Sequence, residues 1–544
     1  GTSNWNDANN WNPNILPNSL DNVTINTGTS ISITNAASSR NLILNSPGLV
    51  LTIQAGNSLI VEDKVTLTDG ILNINGGTLI LNGTIASTGS GTFSGSTSSS
   101  LTIGGISGGN IGTLNMTPGG TNNFMGNFTL SRSGTDASVT IGSNGLVVTG
   151  IMTLANGTLN TGGNLTLRSS SIPLTGTIAP VNDGARINGL VTIERFVGTP
   201  GTIDAATGFD ATSSGNKSMY SMNINTTTGA AVWESVNSTN QANDTLSAFK
   251  AYRISIRGNR LNDLSVNTVG MNTLVVLRSK GTILTGPVTF NTSGVTANGG
   301  TNTAIRLNSA DPVGYSMIGN PYPSPINWEI IKDSSANLDN SYYVFDPNMG
   351  TTGAYVTYNA ALHINSDNTS AVNKYIQPGQ GFFIRNNNST NPILRIEESH
   401  KATNVANLTN VFRTTTTLSK MYFNLTKKVG VDTFNMDGNA IAFSNTFNNA
   451  VSNEDAGKIA NNSDNLAINK TGTFLSIEGR KIPTVSDTIS IRVWALASGG
   501  NYQLKINLRD FSSNGLQPIL LDRFTNTQTV LPFNTNTVYP FTVT

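Results

Sequence analysis

Short runs of alternating apolar and polar residues dominate the first third of the chain. They recur about every 20 residues between about residue 41 and about residue 174, and Gly, Asn and Asp separate them. The clearest runs are LIL (42–44), LVLTI (49–53), LIV (59–61), VTL (65–67), ILNI (71–74), TLIL (78–81), NFTL (127–130), SVTI (138–141), GLVV (145–148), IMTL (151–154), TLN (158–160) and NLTL (164–167). The gaps are too short for a helix, so the pattern predicts a right-handed parallel β-helix with Leu, Ile and Val pointing inward. An antiparallel meander is the alternative interpretation.

The pattern changes near Asn182, where the runs become longer and less regular. Their alternation and their turn residues are typical of antiparallel β-sandwiches. These runs include AYRISIRG (251–258), GYSMIG (314–319), SYYVFDP (341–347), GQGFFIRN (379–386), MYFNLTKK (421–428), TISIRVWAL (488–496) and YQLKINLRDF (502–511). We therefore expect an all-β chain of three domains. Residues 1–190 form the β-helix with a tryptophan-containing N-terminal cap, and residues 191–400 and 401–544 form two antiparallel β-sandwiches.

The segment from Gly314 to Ile331 concentrates turn chemistry and large aromatic residues. Three prolines at alternate positions, Pro321, Pro323 and Pro325, fix their own backbone and keep the preceding residues out of the helical region. The pattern predicts an extended, well-packed corner of the second domain, with Trp328 buried and needed for folding rather than for binding.

Composition excludes several classes of function. Lys and Arg number 31 and Asp and Glu number 30, which gives a net charge of +1, so nucleic-acid binding is not expected. No run approaches the roughly 18 apolar residues of a membrane helix, and membrane insertion is not expected. Gly1 is not followed by a basic and then apolar signal segment, so we expect any signal sequence to have been removed.

Few residues could carry catalysis. The chain has no cysteine and two histidines, His363 and His400, which excludes disulfides, thiolate sites and His-rich metal clusters. The acids of the first 190 residues are scattered, namely Asp7, Asp21, Glu62, Asp63, Asp69, Asp136 and Asp183. Polysaccharide cleavage needs carboxylates that converge on one face, so the sequence predicts a protein that is not an enzyme.

Aspartates of the third domain raise the question of a metal ion. Asp432, Asp437, Asp455, Asp464 and Asp522 form a conspicuous set, but their spacing is not that of a calcium loop. No cofactor is expected, and a structural calcium ion remains the alternative.

Two tryptophans near the N-terminus, Trp5 and Trp11, are candidates for a sugar-stacking platform. The competing interpretation is that they seal the open end of the β-helix, which would otherwise expose apolar rings and unpaired backbone.

A second candidate ligand site lies in the middle domain. Gln380, Phe382 and Phe383 could form an apolar site with a polar rim, near the arginines of a neighbouring run. These arginines are Arg253, Arg257 and Arg260. Arginines at a strand end also commonly cover apolar surface with their stems, so packing is the alternative role.

Four segments of the middle domain resemble, in the same order, segments of modular surface proteins exported by the type IX secretion system. They are AYRISIRGNR (251–260), TGPVTFN (285–291), GNPYPSPINW (319–328) and IQPGQGFFIR (376–385). The start of the chain and the β-helical repeats are also similar to the stalks of this family. The chain departs from the family between Arg195 and Val232, where we expect a reshaped loop. The segments DGNAIAFSN (437–445) and LSIEGR (475–480) resemble the module that precedes the family's sorting domain, which we expect to have been removed.

The resemblance implies a secreted, non-enzymatic structural or adhesin-like protein of the bacterial outer cell surface. Its implied partners are the secretion and surface-attachment machinery, with surface glycans or other copies of the chain as further candidates. Thr245 and Thr488 follow aspartate and precede an aliphatic residue, which is similar to the O-glycosylation pattern of that bacterial group. The alternatives are a carbohydrate-binding or carbohydrate-degrading β-helix protein and a subunit of an extracellular polymer or surface layer.

Overall fold

A computed structural model describes residues 2–27, 30–169, 176–197, 219–225, 230–236, 246, 249–254, 275–309, 314–350, 352–387, 391–402, 418–485, 487–511 and 515–543. In these ranges the secondary structure is nearly all β, with one short α-helix and two single-turn 3₁₀-helices. Among the described helices, none is long and apolar enough to cross a membrane. The prediction of an all-β chain is confirmed.

The N-terminal domain contains one 3₁₀-helix, η1 (Ala8–Asn10), and the first twenty strands. In chain order these are β1 (Asn22–Ile25), β2 (Ser30–Ile33), β3 (Ala37–Leu44), β4 (Val50–Ile53), β5 (Ser58–Leu67), β6 (Ile71–Asn73), β7 (Thr78–Leu81), β8 (Thr84–Ser87), β9 (Thr92–Ser94), β10 (Ser100–Ile103), β11 (Asn110–Leu114), β12 (Phe124–Met125), β13 (Asn127–Ser131), β14 (Ser138–Ile141), β15 (Leu146–Val148), β16 (Ile151–Asn160), β17 (Leu165–Arg168), β18 (Thr177–Ile178), β19 (Ala185–Asn188) and β20 (Val191–Val197).

These strands pair in parallel and stack into a β-helix with three faces. The first face contains β3, β5, β7, β10, β13, β16 and β18 in this order. The second contains β1, β3, β5 and β8, then β11, β14, β16 and β19. The third contains β2, β4, β6 and β9, then β12, β15, β17 and β20. Strands β3, β5 and β16 turn a corner and belong to two faces. The parallel β-helix is confirmed and the antiparallel meander is wrong.

The core of the β-helix is a set of apolar columns. Leu59, Leu79 and Leu101 are register partners in successive coils, and all three are buried. The turns between faces leave little room, because a Cβ added to Gly83 would lie 1.4 Å from the carbonyl oxygen of Asp63 in the coil below. The coils can stack at this turn only because the residue has no side chain.

The middle domain contains the strands β21 to β35, the helix α1 (Trp328–Ser334) and the 3₁₀-helix η2 (Glu398–His400). Its strands are β21 (Met219–Ile224), β22 (Ala231–Ser235), β23 (Tyr252–Ile254), β24 (Val275–Gly281), β25 (Val288–Asn291), β26 (Gly294–Ala297), β27 (Gly300–Asn302), β28 (Tyr315–Gly319), β29 (Ile326–Asn327), β30 (Leu338–Asp346), β31 (Ala354–Asn359), β32 (Ile364–Asn365), β33 (Tyr375–Ile376), β34 (Gly381–Asn386) and β35 (Leu394–Ile396).

Three antiparallel sheets of this domain matter for the argument. The order of the largest is β28-β34-β30-β31-β32, and a four-stranded sheet has the order β27-β26-β25-β35. Both contribute to one apolar core around Trp328. A third sheet, β22-β21-β23, lies against the other face of the five-stranded sheet, where the ring of Trp233 contacts that of Phe383.

Both ends of the third β-helix face are occupied. At the N-terminal end the backbone N–H of Trp5 donates to the carbonyl of Ser32, and the N–H of Ser32 donates to the carbonyl of Ser3, both at 2.9 Å. At the other end β24 pairs antiparallel with β20 along its whole length. The stack of parallel strands on this face is therefore hydrogen-bonded to another segment of the chain at each of its two ends.

The proline corner bends at residues 322–324 and is a strand only at β29 (Ile326–Asn327), so the prediction of an extended segment through Trp328 is wrong. Trp328 is the first residue of α1, and the side chain of Asn327 caps the helix by accepting a hydrogen bond from the N–H of Glu329 at 3.1 Å. An asparagine cap after the last proline allows a helix to start here. Trp328 is fully buried, as predicted.

The same corner joins the middle domain to the β-helix. The hydroxyl of Ser324 bonds to both the N–H and the carbonyl of Ile178 in β18. Glu398 accepts a hydrogen bond from the N–H of Val181 at 2.8 Å and forms an ion pair with Lys401 at 2.6 Å. The last coils of the β-helix are thus bonded to the second domain.

The C-terminal domain is one large sheet with a small hairpin. Its strands are β36 (Ser419–Val429), β37 (Asp432–Phe443), β38 (Ala456–Gly457), β39 (Asn465–Lys470), β40 (Thr473–Arg480), β41 (Ile491–Trp494), β42 (Asn501–Arg509), β43 (Ile519–Asp522), β44 (Thr527–Val530) and β45 (Asn536–Thr542). The sheet order is β41-β39-β40-β37-β36-β42-β45, antiparallel except between β37 and β40. A small apolar cluster joins it to the middle domain. This cluster comprises Leu362, Ile364, Tyr422, Ala440, Ala442, Ala456 and Ile477.

Candidate functional site

A cleft of 440 Å³ opens between the middle and C-terminal domains, on the face of the five-stranded sheet that points away from Trp328. We call it the aromatic cleft. It is lined by Met222, Trp233, Arg253, Tyr315, Phe345, Thr352, Gly353, Tyr355, Phe383 and residues 458–462. Its volume is within the range of small-ligand sites.

Four rings form a continuous row through the cleft. The ring centroids of Trp233 and Phe383 lie 6.4 Å apart, those of Phe383 and Tyr355 5.7 Å, and those of Tyr355 and Phe345 5.5 Å, all edge to face. Trp233 and Phe345 at the two ends are 41% and 42% exposed, whereas Phe383 in the middle is 9% exposed. The row therefore offers apolar surface to solvent at both ends and has a packed centre.

The strand period explains why three of these rings, Phe345, Tyr355 and Phe383, share one face of the five-stranded sheet. In β34, Phe382 points into the core against Trp328 and Tyr342, so the next residue, Phe383, points into the cleft. Gly353 is a further requirement, because a Cβ there would lie 2.2 Å from the ring of Phe345. A larger residue would displace the ring that ends the row.

The polar side of the cleft is cationic. Among the described residues, the guanidinium of Arg253 has no ion-pair partner, although it lies near Tyr355. Burial raises the pKa of the Tyr355 hydroxyl, and the charge of Arg253 opposes that rise. Lys458 also lines the cleft, but its ammonium is buried against the carboxylate of Asp437 at 2.5 Å, so its charge is neutralised inside the protein.

The side-chain amide of Asn461, in the lining of the cleft, has a described hydrogen-bond partner at only one of its two polar atoms. The Oδ1 atom of Asn461 accepts a hydrogen bond from the backbone N–H of Tyr355 at 2.8 Å. This bond fixes the orientation of the amide, because a backbone N–H requires an acceptor. The Nδ2 atom of Asn461 is buried and has no acceptor in the described part of the chain. Buried donors are nearly always paired, so this group is an unsatisfied donor in the lining of the cleft.

The described lining of the cleft lacks the side chains most common in acid–base catalysis. Among its described lining residues there is no carboxylate and no histidine, the groups that most often act as general acid or base. Where the structure describes the chain, no group of His, Asp and Glu is arranged to hold a metal ion. Asp437 and Asp455, two of the candidate calcium ligands, are instead paired with Lys458 and Lys470.

The predicted site residues are distributed over the molecule. Trp5 and Trp11 lie at the start of the β-helix, where their rings contact at 4.8 Å and the indole N–H of Trp11 donates to the carbonyl of Trp5 at 2.8 Å. Trp5 is fully buried and Trp11 packs against the same core. They form an apolar cap, and the cleft is elsewhere.

The candidate set of the middle domain is divided by the sheet. Phe383 and Arg253 line the cleft, whereas Phe382 is in the core. The side chain of Gln380 accepts a hydrogen bond from the N–H of Gln377 at 2.9 Å and so stabilises its own turn. Arg257 and Arg260 lie outside the described residues.

The two candidate glycosylation sites have different outcomes. Thr245 lies outside the described residues. Thr488 is exposed and precedes the strand β41, so its predicted position inside a strand is wrong. The carbonyl of Thr488 accepts a hydrogen bond from Arg480 at 3.3 Å, and the ion pair between Arg480 and Asp487 supports the same loop.

Sequence reasoning missed Trp233, Phe345, Tyr355 and Asn461. The alternation of SYYVFDP and AYVTYNA could have indicated that Phe345 and Tyr355 belong to one face of a sheet. No local signal marks Asn461, which reaches the cleft from the C-terminal domain.

Comparison with curated proteins finds no match, and comparison with solved structures finds none either. The model of one family, described as a domain of unknown function (DUF8693), matches residues 1–102 and 122–544. Because this match covers most of the β-helix and all of both following domains, the chain belongs to the DUF8693 family.

Proposed function

We propose that the chain is a non-enzymatic, adhesin-like protein of the bacterial outer cell surface, in which the aromatic cleft binds an extracellular polysaccharide. The observation that carries this proposal is the row of four rings, from Trp233 to Phe345, in an open cleft beside the guanidinium of Arg253 and an amide donor of Asn461 that has no acceptor among the described residues. Aromatic faces pack against the C–H faces of sugar rings, and polar side chains bind their hydroxyl groups.

The arrangement of the domains supports a role in presentation. The β-helix contacts the middle domain through Ser324 and Glu398, and neither residue lines the cleft. The cleft thus stays accessible while the β-helix acts as a stalk. The chemistry of the cleft, with no carboxylate or histidine among its described lining residues, supports binding without turnover.

The resemblance to type IX cargo supports the cellular setting. From this resemblance we propose that the chain is secreted and that the export and surface-attachment machinery are its partners. We also propose from it that Thr245 and Thr488 are glycosylated. A surface solvated by Asn, Thr, Ser and Gly, with only 11% charged residues, agrees with this setting.

The test is binding of the purified chain to a panel of immobilised polysaccharides, measured by surface plasmon resonance. Trp233→Ala should weaken binding about ten-fold, since one aromatic contact contributes on the order of 1 kcal/mol beyond its buried area. Phe524→Ala is the matched control, because Phe524 is 90% exposed and lies outside the cleft. Equal affinity of the wild type and Trp233→Ala for every bound polysaccharide would refute a role for the cleft.

A further inference from the structure

We propose that the ligand of the aromatic cleft is an acidic polysaccharide that carries carboxylates, such as a polymer of hexuronic acids. This inference rests on the proposed function and adds the charge of the ligand to it. Three features of the cleft lead to it.

The first feature is the unbalanced charge. Arg253 and Lys458 are the two cations among the described lining residues, and no carboxylate accompanies them there. Lys458 is neutralised by Asp437. Arg253 is exposed on the strand β23, and no described carboxylate pairs with it. The cleft therefore presents one net positive charge beside a surface of aromatic rings.

The second feature is the geometry of this charge. A guanidinium offers planar pairs of N–H donors that match the two oxygens of a carboxylate. Arg253 lies on the rim next to Tyr355, in the middle of the row of rings. A sugar ring packed on this row would place a substituent within reach of the guanidinium.

The third feature is the Nδ2 donor of Asn461. The hydrogen bond from Tyr355 fixes the Oδ1 end of this amide, so the N–H groups at the other end need an acceptor oxygen. A carboxylate or a ring hydroxyl supplies one. The Arg253 guanidinium and the Asn461 amide N–H groups are both donors, and they are complementary to an acceptor-rich, anionic ligand.

A polysaccharide satisfies the apolar and the anionic requirements together. The rings need flat apolar faces, which pyranose rings have, and the donors need oxygens along the same chain. An acidic peptide would satisfy the charge, but it offers no flat apolar face for the two exposed rings at the ends of the row, Trp233 and Phe345.

The experiment measures binding of defined oligogalacturonate fragments to the full chain by isothermal titration calorimetry. The same fragments after methyl esterification keep the sugar rings and lose the charge. A sulfated glucan and poly-glutamate test the other anionic sources. We expect the acidic fragments to bind at least about ten-fold more tightly than their methyl esters, with an affinity that falls as salt is raised.

The variants separate charge from shape. Arg253→Gln should weaken binding of the acidic fragments about ten-fold and leave binding of the esters unchanged, and Arg253→Lys should give an intermediate affinity. Arg186→Gln, a change of an exposed arginine on the β-helix strand β19, is the matched control and should have no effect. The melting temperature of each variant should equal that of the wild type.

Four outcomes would overturn the inference. Esters that bind as tightly as the acids, with no effect of Arg253→Gln, would leave the proposed function intact and refute the anionic ligand. Tighter binding of the sulfated glucan would refute the carboxylate, and tighter binding of poly-glutamate would refute the sugar. Binding of no polysaccharide at all would refute the proposed function itself.

Discussion

Trp328 supports the fold of the middle domain, and replacing it with alanine should destabilise that domain without affecting the chemistry of the cleft. Its side chain is fully buried, and its ring lies 5.8 Å from that of Tyr342 and 6.3 Å from that of Phe382. The indole N–H donates to the carbonyl of Asn340 at 2.9 Å. Trp328→Ala removes all of these contacts at the start of α1.

The magnitude follows from the burial of the ring. Truncation of a fully buried tryptophan to alanine costs about 3–5 kcal/mol. The carbonyl of Asn340 keeps its hydrogen bond from the N–H of Ala360 at 2.9 Å, so the variant leaves no orphaned acceptor there. The cost is a large fraction of the stability of one domain, which is about 5–15 kcal/mol. The melting temperature of the middle domain should therefore fall by about 10 °C.

Hydrogen–deuterium exchange is the appropriate assay because it locates the loss. Peptides from residues 288–396, which contain the core around Trp328, should exchange faster in the variant. Peptides from the middle of the β-helix, such as residues 58–103, should be unchanged. Trp328→Phe keeps an aromatic ring but loses the N–H donor, so it should cost about 1–2 kcal/mol.

Two results would refute this reasoning. If exchange in residues 288–396 is unchanged in Trp328→Ala, the ring does not hold the core. If the variant melts like the wild type but loses polysaccharide binding, Trp328 belongs to a binding site, and the distinction drawn between it and Trp233 is wrong.

Two further changes test the β-helix and a buried carboxylate. Gly83→Ala should destabilise the β-helix by about 3 kcal/mol, because its Cβ would overlap the carbonyl of Asp63. The control is Gly281→Ala, where no atom lies within 4 Å of the added Cβ. Equal unfolding curves for both variants would contradict the close stacking of the coils at Gly83. Burial raises the pKa of Asp339 to about 6, against the opposing effect of Arg385. A raised folded-state pKa means that the contribution of this group to stability is present below its unfolded pKa, near 4, and is lost as the pH rises through 6. Between pH 4 and pH 7 the free energy of unfolding of the wild type, measured with urea, should therefore fall by about 3 kcal/mol relative to that of Asp339→Asn. A difference between the two proteins that stays constant across this range would show that the carboxyl of Asp339 is ionised throughout.

Much of the β-helix could be predicted because its information is local. Each coil repeats the same apolar positions, so Leu59 and Leu79 are visible as equivalent residues before their contact is known. The start of α1 was missed for a different reason. The prolines keep the residues before them out of the helical region, but the cap at Asn327 and the helix-compatible residues after it allow a helix to start directly after β29.

The cleft could be predicted only in part, because it depends on contacts between distant parts of the chain. The strand period separates Phe382 from Phe383, but it does not show which of them faces the core. That choice depends on the packing of α1 on one face of the sheet and of the C-terminal domain on the other. Asn461 contacts Tyr355 across 106 residues of sequence, and no periodicity or motif encodes such a contact.

The occupied ends of the third β-helix face give the stalk a defined length. Seven successive rungs on the first face, from β3 to β18, span about 30 Å at the usual spacing between strands. On the third face, the segment at Trp5 and the antiparallel β24 take the edges onto which another coil would add. The length of the β-helix is therefore set by the number of its coils. Duplication or deletion of one repeat of about 20 residues would change the distance between the N-terminal end and the cleft in steps of about 5 Å, without altering a single residue of the cleft.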